Sequence, residues 1–307
     1  MGKVSPWPPH LDDVLNACPE RFWQEIAWCV GSPSLLAGLA DHWGQEQDEA
    51  ARLAFSTWLQ HAASAGLPPS DSDITSATQR LGYRFEQCIQ AWFNFHPDWI
   101  VHTANHVVQI GKRTAGEIDL LIGRDEACIH LELAVKFYLS SAGSSRWDTW
   151  LGIDPSDRLD LKVTKFERQL DLTRNPEIEE LLGDQGWHIT QRRSWMKGWF
   201  FEHFSRISQP VLPEKASHLC NVGWWCHANE WDRIWSKAGD WAVLEPRHWM
   251  RVRHQASDVV VLDEGPSLPR STQKSNAWMV VQLVGEGDEC REINRGVVVK
   301  DGWPEAR

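Results

Sequence analysis

Residues 116–121 read GEIDLL, and residues 129–136, after a short turn, read IHLELAVK. Apolar and polar residues alternate along parts of both segments, which is typical of β-strands whose two faces differ. The turn signal GRD at residues 123–125 lies between them and indicates an antiparallel hairpin. In such a hairpin Asp119 and Glu132 converge on one face, and their apolar neighbours fill the other.

Acidic side chains on largely apolar strands are costly unless they are paired or bind a cation. A divalent Mg²⁺ or Mn²⁺ ion held by Asp119 and Glu132 accounts for both acids, because carboxylate oxygens are its preferred ligands. Such an ion holds a phosphate oxygen and activates water, and Lys136 on the same strand face stabilises developing charge. An ion pair of Lys136 with Asp119 or Glu132 is the alternative, and the residue types alone leave both open.

A helical acid precedes this hairpin, since residues 81–86 read LGYRFE and end in Glu86. The order of helical glutamate, GEID and a second acidic strand resembles the PD-(D/E)xK nuclease superfamily, particularly its Holliday-junction-resolvase-like and endonuclease-like branches. The chain also resembles an uncharacterised bacterial family of that superfamily, the domain of unknown function 1853, over most of its length. The resemblance implies an α/β fold in which helices flank a restriction-endonuclease-like mixed sheet.

The resemblance also assigns roles to the acidic residues. It implies that Asp119 and Glu132 are metal ligands, that Glu86 is an outer ligand or holds water, and that Lys136 is the catalytic lysine. The family's lysine follows the acid by two residues, where this chain has Ala134, so Lys136 is anchored about 6–7 Å further along the strand. A metal-dependent nuclease with a displaced lysine is one hypothesis. A catalytically degenerate fold that serves as a binding or assembly protein is the other.

Further candidates for binding substrate follow the hairpin. Residues 140–155 form a polar loop that contains Trp147, and residues 156–172 have the apolar spacing of a helix. Lys162 and Gln169 on that helix are candidates because the family often lends a polar residue to the site from this position. The alternative for both is a solvated helix face.

His130 lies two residues before Glu132 and therefore on the same strand face. An imidazole next to a carboxylate is either a third metal ligand or a neighbour in the sheet. The sequence favours the neighbour.

The wider pattern predicts three regions: a helical N-terminal extension over residues 1–70, a nuclease-like core over 71–204, and a Trp-rich, β-containing region over 205–307. In the core we expect a helix at 71–95 and strands at 99–102 with 106–110, 117–122 and 127–139. Further strands are expected at 196–201, 223–231, 241–244, 259–262 and 278–283.

Tryptophan is unusually frequent, with 20 residues. Six of those in the C-terminal half are candidates for a platform that stacks on bases or sugars, or for a surface that binds a protein partner: Trp224, Trp225, Trp231, Trp235, Trp241 and Trp249. A tryptophan-packed core is favoured, because the tryptophans fall within apolar segments and no stripe of positive charge interleaves them.

The net charge of −11 predicts a surface that repels polyanions, so contact with DNA or RNA must be local. The seven cysteines show no CxxC pair and predict reduced thiols, and a zinc site at Cys220 and Cys226 lacks a second ligand pair. No apolar run approaches the length of a membrane span, so we expect a soluble, cytoplasmic protein with no membrane contact.

Overall fold

The computed structural model describes residues 21–65, 80–235, 240–251, 253–255, 259–262, 267–268, 277–285 and 289–304. The strands pair both antiparallel and in parallel, and helices accompany them, so the predicted α/β class is confirmed. The chain divides into two compact units. The amino-terminal unit takes the described residues of 9–135 and 162–197, and the carboxy-terminal unit takes those of 136–161 and 198–307. The three predicted regions stay a prediction.

The helices are α1 (Arg21–Gly31), α2 (Gln45–Ala65), α3 (Leu81–Phe95), α4 (Leu159–Leu172) and α5 (Pro176–Gly183). The strands are β1 (Ile100–Ile110), β2 (Arg113–Arg124), β3 (Ala127–Ser140), β4 (Trp150–Leu151), β5 (Gln191–His203), β6 (Asn221–His227), β7 (Asp240–Leu244), β8 (Arg253–Gln255), β9 (Val259–Val261), β10 (Ala277–Val284) and β11 (Glu289–Val299). Among the described residues no helix is both long and apolar enough to cross a bilayer.

The N-terminal helices of the amino-terminal unit pack through aromatic rings. Helix α1 contacts α2 and α3. The Trp23 ring lies 5.2 Å from Trp58 and 5.0 Å from Phe95, which joins one ring from each helix. Helix α3 ends at Phe95 as predicted, whereas the predicted start at 71–79 and the joint at 66–70 lie outside the described residues.

Strands β1, β2 and β3 form an antiparallel meander in the amino-terminal unit, with β5 next to β3. The two predicted strands at 99–102 and 106–110 form one strand, β1. A shift in register between Val101 and Thr103 lets the pairing with β2 continue through the residues between them. Asn105 follows that bulge with a φ of 50°, which asparagine tolerates better than most residues. The hairpin of β2 and β3 is the one that the sequence predicted.

Apolar side chains behind the hairpin fix its position in the amino-terminal unit. Ile118 and Leu121 of β2 pack with Cys128 of β3 and with Ile178 and Leu182 of α5. All five are buried, so α5 covers this part of the sheet. Helix α5 was not predicted, and it begins with Asn175, whose side chain accepts a hydrogen bond from the backbone N–H of Glu177.

The carboxy-terminal unit is dominated by strands, in the order β5-β6-β11-β10-β7-β9. Strand β6 runs parallel to β5 and to β11, and β10 runs antiparallel to β11 and β7. The predicted strand at 223–231 ends earlier, at His227, and a 3₁₀ turn follows it over Ala228–Arg233.

The tryptophans of the carboxy-terminal unit form a core. Trp231 packs against both Trp224 and Trp241, with ring centroids 6.0 Å and 5.2 Å away. Trp225 is buried and donates its indole N–H to the carbonyl of Ser140 at 3.1 Å. Trp249 is buried as well, and Trp235 packs against the same cluster as a half-buried ring. Five of the six candidate stacking residues therefore face protein rather than solvent.

Candidate functional site

The hairpin brings Asp119 and Glu132 together. The strands pair Leu120 with Leu131 and Leu121 with His130, which places the two acids at the next position of the same register. The backbone pairing of β2 with β3 ends before this position. Asp119 Oδ2 instead accepts a hydrogen bond from the backbone N–H of Leu133 at 2.8 Å. Glu132 is fully buried and Asp119 is half-buried. The predicted convergence of two strand acids is thus present in the amino-terminal unit.

Helix α3 supplies the third acid. It contacts β1 and β2, and the half-buried Glu86 carboxyl feels the charge of Asp119. The preceding residues hold the helix in place, because Phe85 is buried and Arg84 forms a buried, bidentate pair with Glu25 of α1, at 2.5 and 2.8 Å. Glu86 is therefore presented from a well-anchored turn.

All three carboxyl groups have a raised pKa. Burial, and then the charge of Asp119, raises the pKa of Glu86 to about 7. Burial raises the pKa of Asp119 to about 7, with the charge of Glu132 as the next cause, and burial also raises the pKa of Glu132 to about 7. Carboxylates that are crowded together out of water resist ionisation. Each carboxyl group is therefore only partly ionised at neutral pH, and a bound cation would displace the remaining protons.

Helix α4 brings positive charge to this cluster. The Lys162 ammonium lowers the pKa of all three carboxyl groups, Glu86, Asp119 and Glu132, against the effect of burial. Lys165 acts in the same direction on Glu86 and Glu132. Lys162 also lies over the Phe166 ring, 3.8 Å from its centroid.

Gln169 lies further along α4 and is half-buried. Its side-chain oxygen is buried and accepts no hydrogen bond within the described part of the chain. A buried amide oxygen without a donor is unfavourable, so this position is suited to a polar ligand or a water molecule.

His130 is a neighbour of Glu132 in the sheet and is hydrogen-bonded to it. Its Nε2 lies 2.7 Å from Glu132 Oε1, and its Nδ1 lies 2.9 Å from the hydroxyl of Thr173. Burial lowers the pKa of His130 to about 3, which keeps the ring neutral. Arg192 in turn donates to the Thr173 hydroxyl at 3.1 Å. Neither Thr173 nor Arg192 was predicted from the sequence as a site residue.

The donor set fits a divalent cation of the Mg²⁺ type. Glu132 Oε2 is buried and accepts no hydrogen bond from an N–H or hydroxyl donor in the described structure, and the Asp119 carboxyl group lies within hydrogen-bonding reach of Glu132, so a proton or a cation between the two carboxyl groups satisfies both. No group of three or more His, Cys, Asp or Glu side chains among the described residues is arranged as a complete metal site. Mg²⁺ commonly uses only one or two carboxylates and retains water in its other positions. Asp119 and Glu132 suit that mode of binding, with Glu86 nearby.

The remaining predicted site residues, Lys136 and Trp147, belong to the carboxy-terminal unit. The Lys136 ammonium donates to Asp157 Oδ2 at 2.7 Å, and Tyr138 donates to the other oxygen of that carboxylate at 3.3 Å. Trp147 is half-buried and donates its indole N–H to the carbonyl of Glu214 at 2.6 Å. Each has a partner within its own unit, and their roles in catalysis and substrate binding stay predictions.

Comparison with known protein families assigns the chain to a family. Residues 24–299 match the model described as Domain of unknown function (DUF1853). The chain belongs to the DUF1853 family. Comparisons with curated proteins and with solved structures gave no match. The match covers both compact units, so the acidic cluster lies inside the part of the chain that the family shares.

Proposed function

We propose that this DUF1853 protein is a metal-dependent phosphodiesterase that acts on nucleic acid, with a restriction-endonuclease-like core of the PD-(D/E)xK superfamily. The observation that carries the proposal is the hairpin register that places Asp119 opposite Glu132, with Glu86 and Lys162 close enough to shift the pKa values of these carboxyl groups. Three different elements supply the acids, and each has a raised pKa. An ion pair with a purely structural role would not require three acidic residues.

Asp119 and Glu132 would hold the cation, and Glu86 would hold a water molecule near it. A bound Mg²⁺ or Mn²⁺ ion supplies positive charge to a phosphate oxygen and to the attacking water. Burial of Glu132 keeps bulk water away from its free oxygen, so that oxygen interacts strongly with a cation. Asp119 is held in orientation by the backbone N–H of Leu133.

We assign the ammonium of the site to Lys162. Its charge acts on all three carboxyl groups, whereas the ammonium of Lys136 is paired with Asp157. An ammonium beside the cluster stabilises the negative charge that develops on the phosphate in the transition state. Lys162 of helix α4 thereby takes the role that the family assigns to a lysine on the strand.

The test is a cleavage assay with Mn²⁺ or Mg²⁺ on mixed DNA and RNA substrates. We expect Asp119→Asn to abolish cleavage, and Lys162→Met to slow it by about 10²- to 10³-fold. Lys112→Met, in the exposed β1–β2 turn, and Glu126→Gln, in the exposed β2–β3 turn, are matched controls that keep activity. Equal cleavage by wild type and Asp119→Asn would contradict the proposal.

A second candidate is a catalytically degenerate nuclease fold that serves as a binding or assembly protein. The pairing of Lys136 with Asp157 supports it, because the strand lysine is engaged elsewhere. The net charge of −11 also disfavours tight binding of free duplex. Mn²⁺ binding by wild type without cleavage of any substrate in the same assay would favour this candidate.

A further inference from the structure

A chain of hydrogen bonds leads from Arg192 to Glu132 Oε1, the oxygen of that carboxyl group opposite the unpartnered Oε2. Arg192 Nε donates to Thr173 Oγ1 at 3.1 Å, Thr173 Oγ1 lies 2.9 Å from His130 Nδ1, and His130 Nε2 lies 2.7 Å from Glu132 Oε1. The side chains come from β5, the turn after α4, and β3. Thr173, His130 and Glu132 are fully buried.

Donor and acceptor roles along this chain follow from the arginine. A guanidinium only donates, so Thr173 Oγ1 accepts from Arg192 and keeps its single proton for another partner. Arg192 also donates to the Thr173 carbonyl, which holds that residue in place. Two acceptors compete for the hydroxyl proton: His130 Nδ1 at 2.9 Å and the carbonyl of Leu170 at 3.3 Å. The shorter bond to Nδ1 is favoured.

The proton on Thr173 then determines the tautomer of His130. If Nδ1 accepts, the neutral ring carries its proton on Nε2 and donates it to Glu132 Oε1. If Thr173 instead donated to Leu170, His130 would donate from Nδ1, and Nε2 would need a protonated Glu132 as its donor. An ionised Glu132 permits only the first arrangement.

We propose that His130 is a positioning residue that Thr173 and Arg192 fix as the Nε2–H tautomer, so that Glu132 Oε1 is occupied and Oε2 is presented to the divalent cation. This inference rests on the metal site of the proposed function. Partners that orient a metal-binding side chain typically contribute 10- to 100-fold to metal affinity. His130 thus acts through Glu132 and is not itself a ligand.

The first test reads the tautomer directly by long-range ¹H–¹⁵N NMR of the histidine rings in metal-free protein at about pH 8. Comparison with His130→Asn identifies the His130 signals among the 13 histidines. We expect a protonated Nε2 and an unprotonated Nδ1. A protonated Nδ1 would overturn the proposal, and this readout requires neither cleavage nor bound metal.

The second test asks whether the hydroxyl matters for the cation. Thr173→Val removes the proton donor at nearly constant volume, and Thr173→Ser retains it. We expect Thr173→Val to redistribute the His130 tautomers and to weaken Mn²⁺ binding by about tenfold in calorimetric titration, and Thr173→Ser to preserve both. Unchanged tautomers and affinity in Thr173→Val would overturn the proposal.

The two tests also separate this inference from the proposed function. If wild type shows the expected Nε2–H tautomer but binds no Mn²⁺, the metal site fails, and the presentation of Oε2 to a cation fails with it. If wild type binds Mn²⁺ through Asp119 and Glu132 but shows the Nδ1–H tautomer, the metal site stands and only the positioning role is overturned.

Discussion

At the scale of single residues, the decisive feature is a fully buried glutamate with one satisfied and one free oxygen. Glu132 Oε1 has His130 as its partner, whereas Oε2 has none within the described residues. A buried carboxylate of this kind destabilises the protein unless it is protonated or binds a cation. The proposed metal site would give this oxygen a partner.

The protonation of the cluster predicts a pH dependence. Glu86, Asp119 and Glu132 each have a pKa of about 7, above ordinary values of 4.5, 3.8 and 4.5. The folded, metal-free protein thus holds protons that the unfolded chain has released. The contribution of these bound protons to the free energy of unfolding is present below about pH 4 and is lost as the pH rises through about 7.

We therefore expect the cluster to make the free energy of unfolding of metal-free protein fall between about pH 5 and pH 8. Glu132→Gln should flatten this dependence, while Glu126→Gln in the exposed turn should not. Urea unfolding in EDTA at several pH values measures the effect. A pH profile identical in wild type and Glu132→Gln would show that the raised pKa is absent.

At the scale of elements, the site depends on how helix α3 is anchored to α1. Arg84 and Glu25 are buried partners, and Glu86 lies two residues further along the same helix. The ion pair thus joins the N-terminal helices to the element that supplies an acid of the cluster. The LGYRFE segment holds both the anchor and the site residue.

Removing one partner of this pair leaves a buried charge. We expect Arg84→Met to lower the free energy of unfolding by about 3–5 kcal/mol. The double variant Arg84→Met/Glu25→Leu should regain part of the lost stability, because it no longer contains a buried carboxylate without a partner. Chemical denaturation of the two single variants and the double variant gives the coupling. Strictly additive losses would mean that the two side chains do not interact.

Strand β5 contains a glycine, Gly198, at a position where the backbone of Lys136 in β3 leaves no room for a side chain. Gly198 has a φ of 139°, and a Cβ there would lie 1.7 Å from the carbonyl oxygen of Lys136. We expect Gly198→Ala to destabilise the protein by at least about 1–3 kcal/mol. Gly82→Ala in α3, where a Cβ meets nothing within 4 Å, should instead stabilise it by about 0.5–1 kcal/mol.

Thermal unfolding of both glycine variants measures the contrast. The opposite signs are the informative result, because both substitutions add the same methyl group. A Gly198→Ala variant as stable as wild type would contradict the close approach of β5 to Lys136.

Elements with a strong local pattern could be predicted from the sequence. The β2–β3 hairpin and helix α4 have clear apolar periodicity and turn signals, and the structure contains both. Strand β1 was predicted as two pieces because its bulge interrupts the alternation. Helix α5 was missed because only eight residues form it, too few for a clear period.

Among the site residues, local patterns identified the acids but not their partners. Asp119 and Glu132 stand out because they interrupt apolar strands. Thr173 lies 43 residues from His130, and Arg192 lies 19 residues from Thr173, so only tertiary packing brings them together. Lys162 was a candidate by family resemblance, and its effect on the three acids depends on how α4 packs.

At the scale of the whole molecule, the net charge of −11 opposes association with a polyanion. That formal charge counts Glu86, Asp119 and Glu132 as ionised, and their raised pKa values mean that the cluster acquires its full negative charge only above neutral pH. A divalent cation removes this local repulsion and contacts phosphate directly. Binding of nucleic acid should therefore depend on metal.

We expect a labelled short duplex or single strand to bind weakly in EDTA and at least about tenfold more tightly in Ca²⁺, a hard divalent cation that also takes carboxylate and phosphate oxygens as ligands. Asp119→Asn should remove the dependence on Ca²⁺. Fluorescence anisotropy at fixed ionic strength measures both. Affinity that is unchanged by Ca²⁺ in wild type would place nucleic-acid binding elsewhere on the protein.

The most direct measurement is calorimetric titration of purified protein with Mn²⁺. The acidic cluster predicts one site in wild type, lost in both Asp119→Asn and Glu132→Gln and kept in Glu126→Gln. Absence of Mn²⁺ binding by wild type, or wild-type affinity in Asp119→Asn, would contradict a metal site at these carboxylates.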